Sequence, residues 1–156
     1  MKNRLSACRR YCLIVLCAAL LISATGCSIF AEKKSNAFDG EKAYKLLVDQ
    51  VEIGPRYPGI AGHDKCLEMI VSKLKPFADD VDVQEFSQTI AGKKLTLHNI
   101  IAKFNPAAKR SVLLAAHWDT RPIADMEIDS AKREQPILGA NDGASGVAAL
   151  LELARI

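Results

Sequence analysis

The sequence predicts an α/β fold, a three-layer α/β/α sandwich around a mixed, mostly parallel central sheet that is incomplete at its C-terminal end. Three observations predict it. Apolar residues recur at helical spacing near both ends of residues 39–156, a stretch of period-two alternation lies between them, and one continuous apolar run, SVLLAAH, has the length of a strand. Strands buried on both faces read as unbroken apolar runs, so SVLLAAH is expected in the middle of a sheet covered by helices.

The first segment does not belong to that fold. Lys2, Arg4, Arg9 and Arg10 precede an apolar run from about Tyr11 to Ile22, the pattern of a secretory signal. The run covers about 12 residues, whereas a helix crossing a bilayer needs about 20, which weighs against a permanent transmembrane anchor. It ends in Ala24-Thr25-Gly26-Cys27, which resembles a bacterial lipobox. Residues 1–26 are therefore expected to be a lipoprotein signal peptide, with Cys27 the lipidated mature N-terminus and the protein exported and membrane-anchored. An ordinary signal peptide with a cysteine at that place is the alternative. Ser28, not Asp, follows, which in a Gram-negative host directs the product to the outer membrane.

Removing the signal changes the charge argument. Taking its four basic residues from 21 Lys+Arg leaves 17 against 18 Asp+Glu, a net of −1. The basicity belongs to the targeting segment, and nucleic-acid binding loses its support. Of five cysteines, Cys8, Cys12 and Cys17 leave with the signal and Cys27 carries lipid, so Cys66 is alone and no internal disulfide can form. Lying among the apolar positions of a helix, Cys66 reads as a buried structural thiol.

After a polar tether at 27–38, Tyr44, Leu47, Val48 and Val51 predict a first helix that stops near Gly54-Pro55. GPRYPGIAGH is a loop, and Leu67, Ile70, Val71 and Leu74 mark a second helix ending near Pro76. Both helices are expected to lay one face on the sheet. VDVQEFSQTI and KLTLHNIIAKF, joined by the turn AGKK, form an antiparallel hairpin. SVLLAAH follows, then a loop of about two dozen residues, then a helix from about Asp142 with Val147, Leu150, Leu151 and Ala154 on one face. That helix is still in register at Ile156, which reads as the first part of a longer domain.

Two motifs bracket the long loop: His117-Trp118-Asp119-Thr120-Arg121-Pro122 and Gly139-Ala140-Asn141-Asp142-Gly143-Ala144-Ser145-Gly146. Ligands of open α/β sheets bind beyond the carboxyl ends of strands, so the motifs are expected to meet at one site. Imidazole and carboxylate suit zinc, and Asp119 is placed to orient the His117 ring. Residue types alone leave other roles open: a satisfied strand-end histidine for His117, a helix N-cap for Asp142, a turn former for Asp119. His63 and His98 read as structural.

AAHWDTRP, followed by PILGANDGASGVAALLELAR and preceded by GPRYPGIAGHDKCLEMIVSKL, resembles the zinc exopeptidase family that holds aminopeptidases together with animal-type glutaminyl-peptide cyclotransferases. The similarity runs from about Phe38 to the end, and HWDTRP with GANDGASG is most like the bacterial glutaminyl cyclase branch. The resemblance implies a phosphorylase/hydrolase-like sandwich, zinc as cofactor, and peptide or protein N-termini as substrates. It implies that Asp142 ligates zinc, that His117 ligates a second metal only in the two-metal peptidases, and that Asp119 is the carboxylate behind the ring. It also implies that the paired acid/base glutamates and a further histidine ligand lie beyond Ile156, so that these 156 residues alone are inactive. A di-zinc aminopeptidase and an inactive truncated lipoprotein are the alternatives to a cyclase.

Overall fold

The structure, a computed structural model, describes residues 37–156. The expected signal peptide, Cys27 and nearly all of the tether lie outside the described residues. Helix α1 spans Gly40–Glu52, α2 Ala61–Leu74 and α3 Ser145–Arg155; strands β1 (Asp80–Ile90) and β2 (Lys93–Lys103) form an antiparallel pair. The fold is mixed α/β, with a two-stranded sheet among the described residues.

Helix α1 starts where Asp39 accepts hydrogen bonds from the backbone amides of Glu41 and Lys42 at 3.1 and 3.2 Å, satisfying two of the donors that every helix start leaves open. Its inward face differs from the expected stripe. Tyr44 is exposed, while Gln50 is fully buried and Leu46 and Ile53 pack on the core. The reason is the partner: α1 rests on α3 and on the turn ahead of it, not on the hairpin. Helix α2 does follow its stripe, burying Cys66, Ile70 and Leu74 and half-burying Leu67 and Val71. It packs on β2 and α3. The core lies between α2 and α3, where Cys66, Ile70, Leu74, Val147 and Leu151 meet, with Ile100 of β2 and Trp118 against them.

The hairpin is tighter than expected. Ile90 pairs with Lys93 and Thr89 with Lys94, so the turn is only Ala91-Gly92 and both lysines belong to β2. Both turn residues have positive φ, 49° and 77°, the backbone of the two-residue turns that match strand twist.

Two further expectations are corrected. SVLLAAH is not a strand: residues 111–117 make no ladder, and Val112 and Leu113 are 86% and 89% exposed. A strand exists only through hydrogen bonds to a neighbour, and among the described residues none lies alongside. Instead the segment edges an apolar groove of about 300 Å³ that Ile70, Ile100, Trp118 and Leu151 also line. The last helix begins at Ser145, three residues later than expected. Asp142 (φ −93°, ψ 91°) and Gly143 (φ 108°) are non-helical, and the Ala144 amide bonds the Gly139 carbonyl at 3.2 Å, closing a wide turn before α3.

Candidate functional site

That wide turn and the segment after Ala116 converge. His117 Nε2 lies 2.9 Å from Asp142 Oδ1, and its Nδ1 lies 3.3 Å from Asp119 Oδ1 and 3.2 Å from the Asp119 carbonyl. The three residues named from the sequence are thus brought together. Asp142 does not cap α3, where no side-chain cap bond forms; its carboxylate turns to the imidazole. The side chains of His117 and Asp142 are 57% and 64% exposed, so the pair is open to an incoming ligand. Partial burial disfavours the charged imidazole, but the hydrogen bonds it donates to Asp119 and Asp142 outweigh that, and the pKa of His117 lies above its ordinary value.

The two carboxylates flank opposite nitrogens of one ring and do not converge on a point. Among the described residues no group of three or more His, Cys, Asp or Glu side chains is arranged to hold a metal ion.

Glycine makes the approach possible at two places. A Cβ on Gly143 would stand 2.8 Å from both His117 Cε1 and the His117 carbonyl, and Gly143 has φ 108°. A Cβ on Gly139, φ 57°, would meet the Asp142 carbonyl at 2.5 Å and the Thr120 methyl at 2.7 Å. Both backbones occupy conformations that side chains with a Cβ resist.

His63 and His98 are where their structural reading puts them. His63 is 3% exposed, its ring 4.2 Å from that of Trp118 and 5.8 Å from that of His98. Burial holds its pKa below the ordinary value, against the pull of Asp64. Cys66 is fully buried, and burial pushes its thiol up to about 11.

Sequence reasoning missed three buried polar residues, two of which, Arg56 and Gln50, reach the segments that carry the site. Arg56 is fully buried in the loop after α1; its guanidinium donates to the carbonyls of Trp118, Gln50, Gly54 and Gly139 at 3.0–3.2 Å, and its amide donates to Thr120 Oγ1 at 2.9 Å. Gln50 Nε2 donates to the Ala144 carbonyl at 3.0 Å. Glu152, 1% exposed, accepts from the Asp39 amide at 2.9 Å and from Arg155 at 2.6 Å, joining α3 to the start of α1. Only Arg56 carried a signal, its place in the GPR loop beside two prolines and three glycines.

The model of peptidase family M28 matches residues 99–156, the span that holds both motifs. A glutaminyl-peptide cyclotransferase of Drosophila melanogaster is 36% identical over 110 residues, covering 70% of this chain and 28% of that protein. A crystal structure of a Zn-dependent exopeptidase from Parabacteroides distasonis superposes with TM-score 0.73 at 45% identity, covering 76% of this chain and 41% of that one. Over residues 99–156 the chain carries a peptidase family M28 match, within a longer stretch similar to glutaminyl-peptide cyclotransferases and Zn-dependent exopeptidases. A crystal structure of the glutaminyl cyclase of Tannerella forsythia gives the same TM-score, 0.73, at 43% identity and the same coverage. The chain spans about a quarter of the length of the curated relatives that it matches and about two fifths of these solved structures.

Proposed function

We propose that the protein is a zinc-dependent glutaminyl cyclase-type member of its family, converting N-terminal glutamine of peptides to pyroglutamate with release of ammonia. The observation that carries the reading is the meeting of His117, Asp119 and Asp142 at 2.9 and 3.3 Å, in a chain 43% identical over the shared region to a bacterial glutaminyl cyclase. In this reading the remainder of a three-layer α/β/α sandwich supplies the sheet neighbours that residues 111–117 lack here. In the same reading the lipobox-like Cys27 anchors the exported protein to a membrane, on the periplasmic or cell-surface side.

The donor chemistry fits zinc and the donor number is partial. Asp142 Oδ1 and His117 Nε2 are a carboxylate oxygen and an imidazole nitrogen, both zinc-type ligands, whereas a site takes three or four. Asp142 is the residue that would hold the ion. Zinc, when bound, supplies a Lewis acid that polarises the substrate amide carbonyl. The chain's own residues do the orienting: Asp119 fixes the His117 ring from its Nδ1 side, and the ring fixes the Asp142 carboxylate from its Nε2 side. The substrate α-amine then displaces ammonia from the γ-carboxamide.

The second reading is a di-zinc aminopeptidase, favoured by the direct facing of His117 Nε2 and Asp142 Oδ1, since both could then be ligands. Two measurements on the uninterrupted reading frame, sequenced past the Ile156 codon, separate the readings. One bound zinc and pyroglutamate formation from a glutaminyl peptide support the cyclase. Two zinc ions with release of the first residue overturn it in favour of the peptidase. A stop directly after Ile156, with no activity, leaves a truncated lipoprotein.

A further inference from the structure

We infer that Arg56 is a positioning residue for this site: its guanidinium sets the spacing between the segment that carries His117 and Asp119 and the turn that carries Asp142. The inference rests on the zinc-site reading above.

A buried guanidinium is costly unless its donors are met. Arg56 is fully buried, and its side-chain hydrogen bonds run to carbonyl oxygens, not to a carboxylate. Filling the space would need only an apolar side chain. What a guanidinium adds is a rigid planar fork whose donors point in fixed directions, and here those directions coincide with the two halves of the site. Nε holds the Trp118 carbonyl at 3.2 Å, on the residue between His117 and Asp119. Nη2 holds the Gly139 carbonyl at 3.1 Å. That same oxygen accepts the Ala144 amide that closes the turn around Asp142 and Gly143. One side chain therefore spans from the backbone of one motif to the hydrogen bond that shapes the other.

The base of the fork is fixed as well. Nη1 holds the carbonyls of Gln50 and Gly54 at the end of α1 at 3.0 and 3.1 Å, and Gln50 reaches the Ala144 carbonyl through Nε2. The Arg56 amide adds a fifth bond to Thr120 Oγ1. None of these atoms touches the reacting groups, so the effect passes through the backbone to the separation of His117 and Asp142.

The test compares the full chain with Arg56→Lys, which keeps the charge and removes the fork. Three readouts are taken: the ¹⁵N shifts of the His117 imidazole in metal-free protein, the response of those signals to added zinc, and the thermal midpoint. The expected result is a His117 Nε2 shift toward that of a solvated, unpartnered ring and an apparent zinc affinity lower by about tenfold or more, the usual effect of losing a residue that orients ligands. Thr120→Val, which removes only the hydrogen bond donated by the Arg56 backbone N–H, should move the same signals less and in the same direction. A folded Arg56→Lys protein with wild-type His117 signals and zinc response overturns the inference, whatever its thermal midpoint. If Arg56→Lys does not fold, Arg56→Gln, which keeps one planar donor group and loses the fork, decides, and unchanged His117 signals in that folded variant overturn the inference. If zinc leaves the wild-type signals unmoved while Arg56→Lys shifts them, the zinc reading falls and the positioning role stands.

Discussion

His117 Nε2 and Asp142 Oδ1 lie 2.9 Å apart across 25 residues of chain, and the residue that allows the approach is Gly143. Its backbone lies under the imidazole at φ 108°, where a methyl group would press on the ring and on the His117 carbonyl at 2.8 Å. Gly143→Ala is expected to cost about 1–3 kcal/mol of stability through backbone strain and to part His117 from Asp142. Urea unfolding measures the first effect and imidazole ¹⁵N shifts the second. Unchanged values of both would show that the turn relaxes without effort.

The hairpin offers a change of opposite sign. Ala91 holds φ 49° at the first turn position, a conformation that disfavours a Cβ but that asparagine tolerates. Ala91→Asn should stabilise the protein by about 0.5–1 kcal/mol. The urea midpoint should rise with its slope unchanged, and a fall would mean that the turn is held by something other than local preference.

The same contrast explains what the sequence could and could not tell. The second helix, the hairpin and the meeting of the two motifs were legible because each rests on a repeat of apolar residues or on residue types that need each other's chemistry. Residues 111–117 read as a strand from their apolar run, but a ladder needs a partner, and periodicity says nothing about whether the partner is present. The start of α3 was misjudged because Asp142 looked like a cap, whereas Gly143 at positive φ keeps Asp142 outside the helix and aims it at His117. Arg56, Gln50 and Glu152 were illegible as buried residues: polar side chains are mostly exposed, and their burial depends on carbonyls and amides brought in from distant segments. The true inner face of α1 was hidden for the same reason, since Gln50 occupies its centre.

Cys66 should be inert while the protein is folded. It is fully buried, with its thiol pushed up to about 11, so at pH 8 the thiolate is on the order of one part in a thousand and a reagent has no access to it. Iodoacetamide labelling of Cys66, resolved by mass mapping from the other cysteines, should track unfolding and accelerate in urea. Labelling at the rate of a free small-molecule thiol in native conditions would contradict the buried placement.

Acid should loosen the junction between α3 and the start of α1. The hydrogen bonds from Arg155 hold the Glu152 carboxyl below its ordinary pKa, against burial, and the Asp39 amide adds to them. A carboxyl whose folded pKa is depressed adds stability that is complete above its unfolded pKa, about 4.3, and is lost as pH falls through the folded value. The thermal midpoint should therefore drop as pH falls below about 4.3. Glu152→Gln should lower the midpoint at pH 7 and make its fall on acidification shallower; parallel curves for the two proteins would place the acid-sensitive group elsewhere.

The roles of the two facing side chains can be separated by removing them singly. Asp142 is the expected ligand under either enzyme reading, so Asp142→Asn, which keeps the shape and weakens the donor, should abolish the zinc response of the site. His117 differs between the readings. As a partner that orients Asp142, its loss in His117→Ala should weaken zinc binding by about tenfold to a hundredfold and leave the stoichiometry at one. As a ligand to a second ion, its loss should remove one zinc of two. Metal content after dialysis, compared for the two variants of the full-length protein, distinguishes these outcomes. An Asp142→Asn protein that retains full zinc content would exclude Asp142 as a ligand in both readings.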